Sequence, residues 1–374
     1  MSQAAPIAPR WIVSRRFDLA FFFGGAAFSL LFLILYFAFG APIVALWWIW
    51  LLAFDGPHIG AAFTRTYLDR QEWARRPGLL LVSLATFLIG PLFLLFGIVT
   101  RSEDPFLLFL GLATFYGYYH VVRQHYGFVA LYNAANRTAG RSTASLDRWT
   151  LYLGSWLPYV YFLLANPKAR ALLRLPIAGP RSPIETVILA IVVAVWLLAL
   201  GWFVAVNARR RSLGHPKVAY MLLTVILYGV IYFVISHAEP VYAASTGPDQ
   251  DFLLLSILIV VFHNVQYLGL VWFHNRNRYG ASTGHGAAQV VNRSPVWYLG
   301  ACALFSLVVY LTFACSTGVF PLCAPFGESR LGPIRWNQIG LCLWWGLAIN
   351  HYFLDQKIWR IRGDAELQRN LRLA

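Results

Sequence analysis

Six of the chain's nine histidines lie in or at the ends of four long apolar segments, where a lipid-soluble side chain would be expected. They are His58 in FDGPHIG, His120 and His125 in YYHVVRQHYG, His263 and His274 in VVFHNVQYLGLVWFHN, and His351 in NHYFLDQKIW. Imidazole is costly to bury in lipid, and ionisable groups within a membrane are functional-site candidates by default. Histidine is also the commonest side-chain metal ligand. Histidines brought to one depth by four helices would make a metal centre inside the membrane. Taken singly, a membrane histidine is more often a hydrogen-bond partner between helices than a metal ligand.

The neighbouring residues suit a metal centre. Metal-bound imidazoles usually hand their second N–H to a carboxylate or carbonyl. Asp55 stands three residues before His58, and Asp355 four after His351, so each pair shares a helix face. Gln266 and Tyr267 follow His263 at the same spacings, and Gln124 follows His120. The two aspartates could orient ligands or bind metal directly, as a carboxylate does in non-haem iron sites. Arg123, between His120 and His125, could bind a phosphate or carboxylate or reach to the interface. In HVVRQH the two rings point about 140° apart on a regular helix, so both reach one ion only through a π-bulge or kink. The Gly56-Pro57 step predicts a kink just before His58, because proline removes a backbone hydrogen bond.

The elements that must position these groups are membrane helices. Of 374 residues 59% are hydrophobic and 12% charged, against roughly 25% charged in ordinary soluble domains. A spanning helix needs about 20 mostly apolar residues. Ten segments qualify, near 17–39, 43–63, 79–100, 105–131, 149–165, 183–206, 218–236, 252–274, 296–315 and 336–356. The expected fold is an all-α polytopic bundle, a single integral membrane domain over 1–374. A short polar loop near 209–217 separates its two helical halves. The first apolar run is too long for a signal-peptide core and lacks a small-residue cleavage site, so it is expected to remain as a helix.

The net charge of +15 is distributed as a membrane protein's would be. Alternate connections hold most of the lysine and arginine, from Arg10, Arg15 and Arg16 at the start to the tail beyond Lys357. The positive-inside rule then places both termini in the cytoplasm, with the basic loop after 165 as the exception. A basic rim of this kind sets orientation and meets anionic lipid headgroups, and a nucleic-acid role is not expected. With both ends inside, the four histidine-bearing segments all run towards the cytoplasm. His58 and His351 then lie roughly 9–10 Å from the nearest basic residue, and His263 about 20 Å from Arg276, which places His263 deeper. His274 lies about 16 Å along the same helix from His263, so one centre uses both only if the helix breaks.

His215, His237 and His285 fall in loops and read as surface residues. Cys315 and Cys323 share an outer loop and could pair in an oxidising compartment, whereas Cys302 and Cys342 read as buried thiols. There is no Walker A sequence, no GxGxxG after a strand, no GxSxG and no HExxH, which removes the usual signatures of nucleotide chemistry and serine hydrolysis.

The segments DGPH at 55–58, HVVRQH at 120–125, HNVQY at 263–267 and HYFLD at 351–355 give the chain an arrangement that resembles the histidine-rich membrane oxygenases. These are the fatty-acid desaturase and hydroxylase group and the Brp/Blh-type bacterial carotene dioxygenases. The desaturase HxxxH and HxxHH boxes are absent, and the dispersed single histidines look more like the carotene dioxygenase pattern. The resemblance implies a metal-dependent oxidoreductase of the bacterial inner membrane, using non-haem iron on a fatty acyl lipid, isoprenoid or carotenoid. A redox partner on the cytoplasmic side would suit some of these chemistries. His58, His120, His263 and His351 are the expected ligands, with His125 and His274 as additions. Zinc and copper remain open as the metal. Two other classes also remain: a b-type haem electron carrier, and a metal-ion or proton transporter using the histidines as a relay.

Overall fold

In a computed structural model the described residues are 10–136, 141–173, 175, 181–242, 251, 253–280, 283–316 and 329–373. Of the described residues 81% are helical, with almost no strand among them. Each of the ten apolar segments expected from the sequence falls on helix. The first is α1, Arg15–Phe23 with Gly25–Phe37, bent by 40° between its parts. Then come α2 (Ile43–Arg65), α3 (Pro77–Thr100), α4 (Asp104–Ala135) and α5 (Arg141–Ala165). α6 (Pro183–Arg209), α7 (Pro216–His237), α8 (Leu253–Tyr279), α9 (Pro295–Tyr310) and α10 (Trp336–Ile358) follow.

Six of these, α2, α3, α4, α6, α7 and α8, are long and apolar enough to cross a membrane, and the bent α1 makes a seventh if it is one span. These helices mark an integral membrane protein, with fewer clear spans than the ten expected. The shortfall has a physical cause. α9 is short, and α10 carries Gln338, Asn350, His351 and Asp355, polar residues that serve the interior.

The chain forms two compact units, residues 1–47 with 122–263 and residues 48–121 with 264–374. Both draw on both halves of the sequence, so the polar loop at 209–217 is not where they divide. α4 and α8 are unbroken helices that belong to one unit in their first part and to the other in their second.

In the first unit α5, α6 and α7 pack together. A Cβ on Gly154 would come within 2.5 Å of the Val225 side chain, so glycine is what lets α5 approach α7; small residues do this at membrane helix interfaces. Asp18 holds the N-terminal arm by accepting the N–H groups of Ile12 (2.8 Å) and Val13 (3.0 Å) and the Tyr132 hydroxyl (3.0 Å).

In the second unit α9 lies against α2, and α10 against α3. α2 contains a π-helical stretch, Leu51–Asp55, immediately before Gly56-Pro57. The expected kink therefore takes the form of a widened turn. Pro57 has no N–H to give and its ring crowds the preceding turn, and a π-turn relieves both problems. A second π-helical stretch, Ser306–Tyr310, lies between Pro295–Phe305 and a further α-helical stretch, Leu311–Ser316. The two meet: Ser306 Oγ donates to the Leu52 carbonyl at 2.9 Å, and the Tyr310 hydroxyl donates to Asp55.

The second unit also contains a polar layer. Arg278, near the end of α8, donates to Asp69 at 3.0 Å and pairs with Glu72 and Glu366. His285, expected at the surface, is buried and bonded through Nδ1 to Asp69 at 3.0 Å. The carboxylate supplies the partner that makes its burial tolerable. Arg75 and Arg76 both reach Asp364 in the tail. Cys302 and Cys342 are free and buried, as expected. Cys315 is disulfide-bonded, and its expected partner Cys323 lies outside the described residues.

Candidate metal centre

His58, His120 and His351 converge inside the second unit. The His58 and His351 rings meet edge to face with centroids 4.3 Å apart, and His120 and His351 do the same at 5.0 Å. His263 is the last residue of α8 before the unit division, and the helix continues unbroken through Asn264. One ring nitrogen from each of His58, His120, His263 and His351 lies within 4.8 Å of the other three, and all four residues are buried. Nitrogens bound at ~2.1 Å to one ion stand roughly 3.4 Å apart in a tetrahedron and about 4.2 Å apart when opposed. Small side-chain adjustments would bring the four onto a shared ion.

His351 supplies the sharpest sign that something belongs there. It is fully buried, and neither of its ring nitrogens has a hydrogen-bond partner. A neutral imidazole carries one donor and one acceptor, and leaving both unmet costs roughly 1–3 kcal/mol for each group. A metal ion satisfies the acceptor directly. The donor set of four imidazoles with nearby carboxylates fits a divalent transition metal.

The surroundings are as specific as the ligands. Asp55 Oδ1 lies 3.9 Å from His58 Nδ1 and accepts the Asn264 amide at 3.2 Å, and Asp55 Oδ2 accepts from Tyr310. Asn264 in turn accepts the Trp50 indole N–H at 3.0 Å. Asp355 Oδ1 accepts the Tyr267 hydroxyl at 2.6 Å, and its Oδ2 faces Nε2 of His351 at 3.6 Å and of His120 at 3.9 Å. Tyr267 touches both His58 and His351 edge-on. Tyr352 stacks on His120 with centroids 4.3 Å apart. Asn350 is tied to Tyr67 and to the Ser83 carbonyl, which fixes α10 against α3 beside His351.

The other histidines named from the sequence lie elsewhere. α4 is regular α-helix through 120–125, so the rings of His120 and His125 diverge. His125 bonds Tyr220 at 2.7 Å and lies against Phe262 and Tyr228 in the first unit. His274 donates to Asn275 at 2.9 Å and meets Trp359 edge-on. Arg123 is exposed and reaches the Tyr152 hydroxyl at 3.3 Å. Gln124 donates to the His263 carbonyl at 2.9 Å, holding the backbone that carries that ring, and Gln266 is buried one turn beyond it. Tyr310 and Tyr352 carry no motif in the sequence. In a chain with 19 tyrosines and 28 phenylalanines, no pattern separates them from lipid-facing aromatics.

Fold and site together define a helical membrane protein with a buried four-histidine cluster. Comparison with protein families, with curated proteins and with solved structures gave no match to this chain.

Proposed function

We propose that His58, His120, His263 and His351 hold a non-haem iron ion, and that the protein is an oxidoreductase of the bacterial inner membrane acting on a hydrophobic substrate. The observation that carries this reading is the convergence of four buried imidazoles in a protein otherwise built to exclude polar groups. Iron is preferred because imidazole and carboxylate donors around an incompletely filled site suit an oxygen-activating ferrous ion. Bis-histidine haem is disfavoured by the ring contacts. His351 touches both His58 and His120 directly, where a porphyrin would have to come between two facing imidazoles.

The bound ion would supply activation of O2. The chain's own residues do the rest. Tyr310 and Asn264 fix the Asp55 carboxylate beside His58, Tyr267 fixes the Asp355 carboxylate, and Tyr352 and Asn350 fix the direction of His120 and of α10. The apolar helices admit a fatty acyl lipid, isoprenoid or carotenoid from the bilayer and limit bulk water. A dioxygenase reaction places both oxygen atoms in the product and needs no outside reductant. A desaturase or hydroxylase reaction needs two electrons, which a redox partner at the cytoplasmic face would deliver. The same reading takes α1, α5, α9 and α10 as spans alongside the six clear ones, giving ten with both termini cytoplasmic.

Elemental analysis and an absorption spectrum of the detergent-purified protein test the proposal. About one iron per chain without a Soret band is expected. A Soret band would move the reading to haem electron transfer. An iron-free protein that carries metal ions or protons across proteoliposomes would make it a transporter.

A further inference from the structure

The two aspartates beside the cluster are not equivalent. Asp55 has both oxygens engaged, one by the Asn264 amide and the other by the Tyr310 hydroxyl, and it faces a single imidazole at Nδ1. Asp355 is held at Oδ1 by Tyr267, which leaves Oδ2 turned towards two imidazoles from two different helices.

Distance alone does not separate the two aspartates, since Asp55 Oδ1 is also 3.9 Å from His58 Nδ1. What separates them is that both oxygens of Asp55 are engaged and Oδ2 of Asp355 faces the imidazoles. A carboxylate that orients a histidine accepts its N–H at about 2.7–2.9 Å. Asp355 Oδ2 is 3.6 Å from His351 Nε2 and 3.9 Å from His120 Nε2, too long for either bond. Two atoms bound to one ion at ~2.1 Å lie about 3.0 Å apart at a right angle and about 4.2 Å apart when opposed. Both distances fall between those limits. His351, one turn earlier on α10, has no hydrogen-bond partner at either nitrogen, so it does not supply an N–H.

Resting on the metal reading above, we infer that Asp355 is a fifth ligand through Oδ2, and that Asp55, with both oxygens engaged by Asn264 and Tyr310, is not a ligand. The donor set is then four nitrogens and one oxygen. Four imidazoles alone would suit a closed four-coordinate zinc site. Adding a carboxylate shifts the preference to a five- or six-coordinate redox ion of the ferrous or manganous type, with a position left for O2 or substrate.

Cobalt(II) loading of the purified, metal-stripped full-length protein tests this without any assay of turnover. Cobalt d–d bands are weak in five- and six-coordinate sites and intense in tetrahedral ones. The wild type is expected to give weak bands. Asp355→Asn should give intense tetrahedral bands and bind cobalt more than about 100-fold less tightly, whereas Asp55→Asn should keep the weak bands with an affinity loss of ~10-fold. Asp355→Glu, which retains a carboxylate, should keep the weak bands. Intense bands in the wild type overturn the fifth ligand on their own, even if Asp355→Asn does not fold. Unchanged bands and affinity in Asp355→Asn overturn it as well, and in both cases the four-histidine site survives. Failure of the wild type to bind cobalt at all removes the metal centre, and this inference with it.

Discussion

His58 and His351 meet edge to face with ring centroids 4.3 Å apart, one from α2 and the other from α10, near opposite ends of the chain. Two buried imidazoles in direct contact have little reason to be there unless they share a ligand. His58→Ala and His351→Ala should each lower metal content below about a tenth of the wild-type value while leaving membrane insertion intact. Insertion follows summed apolar transfer energy, to which one histidine contributes little. Metal analysis of the purified variants, beside a membrane-fraction blot, checks both halves. Full occupancy in either variant would make that histidine structural.

Tyr310 acts on the site only through Asp55. Tyr310→Phe keeps the ring and removes the hydroxyl that donates to Asp55. Metal affinity should fall by roughly 10-fold, within the range for residues that orient a ligand. Competition with a chelator of known affinity measures it. An unchanged affinity would show that Asn264 alone holds the carboxylate.

Gly346 lies on α10 five residues before His351. A Cβ there would come within 2.8 Å of the Phe87 ring and 3.2 Å of its Cα. Gly346→Leu should push α10 away from α3, destabilising the protein by about 1–3 kcal/mol and weakening metal binding at a site it does not touch. Thermal unfolding in detergent, with and without added metal, reads both effects. Wild-type values for both would mean that the two helices can separate locally at no cost to the site.

Asp364 couples stability to pH. Burial pushes its carboxyl up, but the Leu367 N–H and the Arg75 and Arg76 guanidiniums outweigh that and hold it below the ordinary 3.8. A carboxyl depressed in the folded state stabilises above its unfolded value, and that stability is lost as pH falls through the folded value. Asp364→Asn should therefore melt below the wild type at pH above about 5. The gap should close on the acid side of 3.8. A gap independent of pH would mean that the lost contact is steric and not electrostatic.

Much of the scaffold was legible in the sequence because hydrophobic length is a strong signal: all ten apolar segments are helical. The divergence of His120 and His125 followed from their five-residue spacing alone. Depth was harder to read. His263 looked too deep because distance was counted from Arg276 as though basic residues marked the membrane edge. α8 instead has 27 residues, about 40 Å of helix against a hydrocarbon core of ~30 Å. Its basic end runs on into the layer of Asp69, Glu72 and Glu366. His285 is illegible in the sequence for another reason: its partner Asp69 is remote in the chain, and no local pattern announces the pair. Tyr310 was invisible because its meaning lies wholly in Asp55.

The two π-helical stretches in the second unit make the site depend on counting as well as on chemistry. Each residue of an α-helix turns the chain by about 100°, and a π-turn accommodates one residue more than an α-turn does. Asp55 and Tyr310 are the closing residues of Leu51–Asp55 and Ser306–Tyr310, so their bond joins two places where a helix has absorbed an extra step. Removing any one residue from 51–55 would let that stretch relax to ordinary helix without changing a single ligand. One α-turn would then replace one π-turn, so His58 keeps its direction, but the widened turn that carries Asp55 to Tyr310 is lost. Over these five positions a one-residue deletion should do more damage than most substitutions, and the length of the segment should be held more tightly than its composition.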